Sequence, residues 1–116
     1  MNTTNTTLPY KDSSRPVDER VEDLLARMTI EEKVAQMLCV WQQKPAALVD
    51  DQGRFDEAKA RERFGHGHGL GQVGRPSDAG GGLTARAMAE TTNAIQRFFV
   101  EQSRLGIPVI FHEECL

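Results

Sequence analysis

Cysteine is scarce in this chain: Cys39 and Cys115 are the only two in 116 residues. Their spacing fits neither a zinc site nor a disulfide framework, and both read as reduced, packed thiols of a cytoplasmic protein. Apolar residues never run for the ~20 positions of a membrane span, so no membrane role is expected. Charge of one sign is not in excess either. Fourteen Lys and Arg against seventeen Asp and Glu leave a net charge of −3, which argues against nucleic acid or an anionic membrane as the main partner. The first residues lack the basic start and apolar centre of a signal peptide. Asn2-Thr3-Thr4 and Asn5-Thr6-Thr7 match the glycosylation acceptor pattern, but without a secretion signal they read as a coincidence of a threonine-rich tail.

What is present is globular in composition, 27% charged and 39% hydrophobic. A chain of this length makes one domain with a modest core. Residues 1–15 are polar and rich in turn formers, and are expected to form a loosely held tail before a domain over 16–116. Pro16 suits a first helical turn, and Val17, Val21, Leu24, Leu25 and Met28 mark one face of a helix. Thr29 looks like the N-cap of a second, with Glu32 completing a capping box. Ile30, Val34, Met37 and Leu38 form its stripe, with Trp41 packing at its end. Both stripes read as core. Pro45 and the Asp50-Asp51-Gln52-Gly53 cluster signal a loop, and Phe55 to Phe64 a short helix anchored by its two phenylalanines.

Gly69, Gly71 and Gly74 give a formal G-x-G-x-x-G match. A dinucleotide site needs a strand before that motif and a helix opening directly after it. Charged residues and glycine precede it here, and Pro76 and Gly80 to Gly82 postpone the next helix, so the motif is not expected to bind a nucleotide. A short strand over Leu70 to Val73, entered by a glycine-rich approach, fits better. His66 and His68 could bracket a metal but have no third ligand in view, and neither metal nor cofactor is expected. Leu83 to Leu105 is the clearest helix. Leu83, Met88, Ile95, Phe98, Phe99 and Gln102 fall on one side, and Arg86, Glu90, Arg97 and Glu101 face solvent. Gly106 supplies a left-handed stop.

The closing stretch, RLGIPVIFHEECL from Arg104 to Leu116, organises the rest. The apolar run Ile107 to Phe111 suits a strand buried on both faces of a parallel sheet. It leads into His112, Glu113 and Glu114, at the strand end where α/β folds build their sites. The same pattern also describes a core strand running out into solvent with surface carboxylates. Strand, loop, long helix and strand make one βαβ crossover. Two parallel strands are too few for a closed sheet, and an open apolar edge invites self-association.

Three segments carry a resemblance: PYKDSSRPVDERVEDLLARMTIEEKVAQM, GLGQVGRP, and NAIQRFFVEQSRLGIPVIFHEECL. Together they resemble the amino-terminal start of the family 3 glycoside hydrolases, the β-glucosidases and β-xylosidases. The match covers nearly everything from Pro9 onward except about Lys44 to Phe64. The resemblance implies an α/β fold, an incomplete amino-terminal segment of a (β/α)8 TIM-type barrel, mostly helical with about two parallel strands. A full barrel takes roughly 250 residues. It also implies retaining hydrolysis of a β-glucoside or β-xyloside by two carboxyl groups. In the family these come from positions beyond the matched segments, and the strand continues into a His-Gly pair, so the chain is expected to be inactive alone. Of the family's site residues, the acidic residue at the second strand's end corresponds to Glu114, which would accept hydrogen bonds from glycone hydroxyls. Arg75 is a candidate for the rim of the same pocket, while His112 and Glu113 would orient the loop or meet parts of the barrel outside the matched segments. The alternative is a small standalone helical module for binding or assembly.

Overall fold

The computed structural model describes residues 7–114; Cys115 and both glycosylation-like asparagines lie outside them. The chain divides into two compact units, Met1–Ile30 and Glu31–Leu116. No helix among the described residues is long and apolar enough to cross a membrane.

In the first unit, a 3-10 turn at Pro9–Lys11 precedes helix α1, Val17–Arg27. Tyr10 is buried, its N–H donating to Asp23 Oδ2 at 3.1 Å and its carbonyl accepting from Arg20 Nε at 3.1 Å. Asp23 also pairs with Arg27 through two bonds of 2.9 and 3.0 Å. Thr7 to Arg15 of the expected tail are described; residues 1–6 are not. The apolar stripe of α1 is present as expected, but it is not core: no residue of the helix is buried, and Val17, Val21 and Leu25 are exposed. An amphipathic pattern sets a helix's period, not the identity of what covers it.

Helix α2, Ile30–Ala35, opens the second unit. It stops three residues before the expected stripe ends, and Met37 and Leu38 are exposed. The chain extends instead into a strand the helical reading did not anticipate, β1 at Cys39–Val40. Then come α3 (Lys44–Ala47), α4 (Glu57–Phe64), β2 (Gln72–Gly74), a 3-10 segment (Pro76–Gly81), α5 (Ala85–Gln102) and β3 (Ile110–His112). The sheet thus has three strands rather than two, all parallel, in the order β1-β2-β3. Val40 stands opposite Val73, which stands opposite Phe111.

Pro45 sits in the first turn of α3 rather than in a loop, since proline's fixed φ suits that place. The Asp50 turn forms as expected, with Asp50 Oδ1 accepting from the N–H groups of Gln52 and Arg54 at 2.9 Å. Asp56 caps α4 by accepting from Lys59 N at 3.1 Å. Phe55 and Phe64 pack on the core as the two anchors expected, against Phe98 and Phe99. On α5, Thr91, Ile95, Phe98 and Phe99 are buried; Gln102, assigned to that side, is exposed. Gly106 is left-handed at φ 63°.

The last strand differs from its expectation in one respect that matters. Val109 is buried and Phe111 packs on the core, but Ile110, between them, is 63% exposed. Successive strand residues face opposite sides, so only the face toward the α5 core is covered. Cys39 is likewise a free but exposed thiol, not a packed one, because alternation turns Val40 inward and Cys39 out. Glu32 is buried, 2% exposed, and its two carboxylate oxygens accept from Arg104 Nε and Nη2 at 2.7 and 2.6 Å.

Candidate functional site

Parallel strands carry their chains to the same side of a sheet, so whatever follows β1, β2 and β3 gathers at one edge. Trp41 follows β1, Arg75 follows β2, and Glu113 and Glu114 follow β3. The two residues singled out from the sequence, Arg75 and Glu114, are therefore brought to the ends of adjacent strands, since Gly74 pairs with His112.

Glu113 and Glu114 play different parts there. Glu113 reaches back across to the 3-10 segment: its Oε1 accepts from Ser77 N at 2.8 Å and its Oε2 from Ser77 Oγ at 2.9 Å. Both of its carboxylate oxygens are thereby engaged with the loop after β2. Glu114, the next residue, is exposed. His112 lies against Gly74, where a Cβ would come within 3.0 Å of its Nε2. Glycine at the end of β2 thus makes room for an imidazole. The His112 Nδ1 atom is buried and lacks a hydrogen-bond partner among the described residues.

Arg75 adopts a left-handed backbone, φ 47° and ψ 60°, at a residue with a side chain. Such a conformation costs about 1–3 kcal/mol and persists where the surroundings over-determine it. Here they do: its N–H donates to His112 O at 2.7 Å, its guanidinium carbon lies 5.7 Å from the centre of the Trp41 ring, and its Nε is 3.6 Å from Asp78 Oδ2.

Beneath that rim lies a group that the sequence did not single out. Lys44 is buried, and its ammonium donates to Trp41 O at 2.8 Å, to Gly74 O at 2.9 Å and to Asp78 Oδ1 at 2.8 Å. One cation therefore ties the ends of β1 and β2 to the 3-10 segment. Burial pushes the Asp78 carboxyl up, but its bond and charge pairing with Lys44 outweigh that, helped by a bond from the Trp41 indole and by the charge of Arg75. Asp78 is held below the ordinary carboxylate range. Trp41, Lys44, Asp78 and the loops around them line a cleft of about 450 Å³. Lys44 fell in the stretch that resembled nothing, and no short-range pattern joins it to Gly74, thirty residues on.

His66 and His68 lie elsewhere, in the approach to β2. Their ring centres lie 4.4 Å apart with the planes tilted by 35°, and His68 N donates to His66 Nδ1 at 3.1 Å. Burial and the neighbouring His68 hold the His66 imidazole below its ordinary value. Among the described residues no three His, Cys, Asp or Glu side chains are grouped to hold a metal ion. The glycine motif is used for packing. A Cβ on Gly71 would run into the Gln36 carbonyl, and the next long helix opens only at Ala85.

Parallel strands in sequential order with helices between them place the chain in the α/β class, and polar side chains collect at the carboxyl ends of the strands. No protein-family model matches the chain. It is 40% identical over 102 residues to probable beta-glucosidase C of Aspergillus oryzae, covering 86% of this chain and 15% of that protein. It is 37% identical over 100 residues to beta-glucosidase C of Emericella nidulans, again 86% and 15%. To a protein named as a beta-xylosidase in Formosa agariphila it is 31% identical over 105 residues, 90% of this chain and 13% of that one. The resemblance read from the sequence is thereby borne out: over most of its length this chain is similar to a segment of β-glucosidase- and β-xylosidase-type glycoside hydrolases. The chain spans about 13–15% of the length of these curated relatives.

Proposed function

We propose that this chain forms the first strands of a (β/α)8-type barrel in a family 3 retaining β-glycosidase, with Glu114 as a sugar-binding carboxylate and Arg75 at the rim. The substrates are terminal β-glucosides or β-xylosides, the two activities in the relatives' names. Parallel strands in sequential order are what the opening of a barrel requires, because a barrel adds each new strand beside the last.

The observation that carries the site reading is the division of labour between the two glutamates. Glu113 holds Ser77 with both oxygens, while Glu114 stands exposed beyond the strand. A carboxylate there accepts from two sugar hydroxyls at once and fixes the ring for attack. Neither glutamate is cast as nucleophile or acid/base. Retaining chemistry needs two carboxyl groups flanking one bond, and Glu113 is engaged in the loop. The reacting carboxyls belong to other parts of the whole enzyme, and the 116-residue chain by itself is expected to leave aryl β-glycosides intact.

The test is kcat/KM on one aryl β-glycoside in the whole enzyme. Glu114→Gln keeps shape but removes the anionic acceptor, which costs about 1.5–3 kcal/mol, or roughly ten- to a hundredfold. Glu114→Ala costs more, and the same changes at Glu113 cost less activity. Glu114 variants that match the parent would refute the assignment.

A further inference from the structure

The two imidazoles at the approach to β2 lie apart from the strand ends, and the function proposed above makes no use of them. We propose that His66 and His68 form a binding site for one divalent transition-metal ion, Cu(II) by preference, with water in the remaining coordination positions. Three observations carry this.

The rings already stand at chelating distance, their centres 4.4 Å apart. At metal–nitrogen distances of about 2.0–2.1 Å, two imidazoles at right angles on one ion have centres roughly 4.5 Å apart, and at the tetrahedral angle about 5.2 Å. The spacing therefore suits the tetragonal geometry of Cu(II) or Ni(II) better than the tetrahedral geometry of zinc, and of these ions copper binds nitrogen most tightly.

The lone pair that a metal needs is present on His66. Its Nδ1 accepts from His68 N at 3.1 Å, and a nitrogen that accepts carries no proton. That lone pair faces the residue whose ring is the second ligand. An ion exchanges the amide contact for two metal–nitrogen bonds, in an exposed turn where water can take up the freed N–H.

The turn between the two histidines is held on both sides. Gly67 N donates to Phe64 O at 3.0 Å, and Gly67 O accepts from Arg104 N at 3.0 Å, beyond the end of α5. Gly67 is left-handed at φ 80°, which lets residues two apart bring their rings together instead of to opposite sides. The Phe64 ring meets that of His66 edge-on, with centres 6.4 Å apart. Ligands ordered before the ion arrives lose less entropy on binding it.

The test titrates Cu(II), Ni(II) and Zn(II) salts into a Cys39→Ser, Cys115→Ser chain, which removes competing thiolates, at about pH 7.5, where imidazole is neutral. Calorimetry is expected to show one Cu(II) site, tighter than for Ni(II) or Zn(II). The free peptide of residues 64–70 should bind at least roughly tenfold more weakly, because it must order its own ligands. Electron spin-echo spectra of the Cu(II) chain should show two imidazoles. His66→Ala and His68→Ala should each remove one and weaken binding about tenfold or more, whereas His112→Ala, the third histidine of the chain, should change neither. Cu(II) should also raise the melting temperature of the parent more than that of the His68→Ala chain. Equal affinity for chain and peptide would overturn the proposal, since the fold would then contribute nothing. So would a single coordinated imidazole, tighter binding of zinc than of copper, or equal losses from His112→Ala and His68→Ala.

Discussion

An ammonium group is tolerated inside a protein only when acceptors replace the water it has lost. Lys44 satisfies that condition with two backbone carbonyls and one carboxylate, all within 2.9 Å. Replacing it by methionine keeps much of the stem but strips the acceptors of their donor. Because Asp78 is 39% exposed, water recovers part of the loss, and Lys44→Met should cost about 1–3 kcal/mol in urea unfolding, below the full penalty for a buried pair. The pair also has a pH signature. Asp78's folded value is depressed below 3.8, so its contribution is fully present above that value and is lost as pH falls through the lower, folded one. Asp78→Asn should lower stability at neutral pH, where the contribution is present, and flatten the acid limb of the stability curve. An unchanged acid limb would show that the pair adds nothing. Neither residue was legible as a pair, since a lysine before a proline and an aspartate in a glycine-rich loop both look like solvated charges. Glu114 was legible as a candidate because an apolar strand pointed at it.

At the scale of elements, long periodic patterns read well and short ones did not. Helix α5 supplies about five turns' worth of evidence, and its solvent side falls as its period requires. Strand β1 has two residues, and Met37 to Trp41 continues the apolar spacing of the preceding helix closely enough to be read as its last turn. What makes it a strand is pairing with β2, a partner more than thirty residues away. The glycine-rich approach shows the opposite case: its composition announced an approach to a packed strand, and the structure adds the close backbone contact that the glycines permit. Gly71 N donates to Ala35 O at 2.9 Å while its α-carbon faces the Gln36 carbonyl. An added methyl must push the end of α2 away from the start of β2. Gly71→Ala should therefore lower stability by about 1–3 kcal/mol through overpacking, read as a fall in melting temperature. The same change at Gly81, whose Cβ would meet nothing, tests strain without collision. Gly71 has no left-handed φ to preserve, so a Gly71→Ala chain as stable as the parent would show that the contact with the end of α2 gives way at no cost.

At the scale of the molecule, the second unit buries one side of its sheet and leaves the other unfinished. Val73 and Val109 are buried, whereas Ile110 is 63% exposed and Met37 and Leu38 are 76% and 54% exposed. Strands β1 and β3 are both edges, with backbone groups turned away from β2. Open edges and apolar faces are templates for another chain. The apolar pattern alone could predict the strand, but it could not reveal which face would lack a cover, because that depends on what packs there. The 116-residue chain should therefore self-associate. Sedimentation velocity over a range of concentrations should show a weight-average mass that rises with loading. Ile110→Lys places a charge on the uncovered face without touching Val109 or Phe111, and should shift the distribution toward monomer while leaving circular dichroism unchanged. A parent chain that sediments as a monomer at every concentration and melts in one sharp transition would mean that this sheet tolerates its open face. A parent that associates equally with Ile110→Lys would place the contact away from β3.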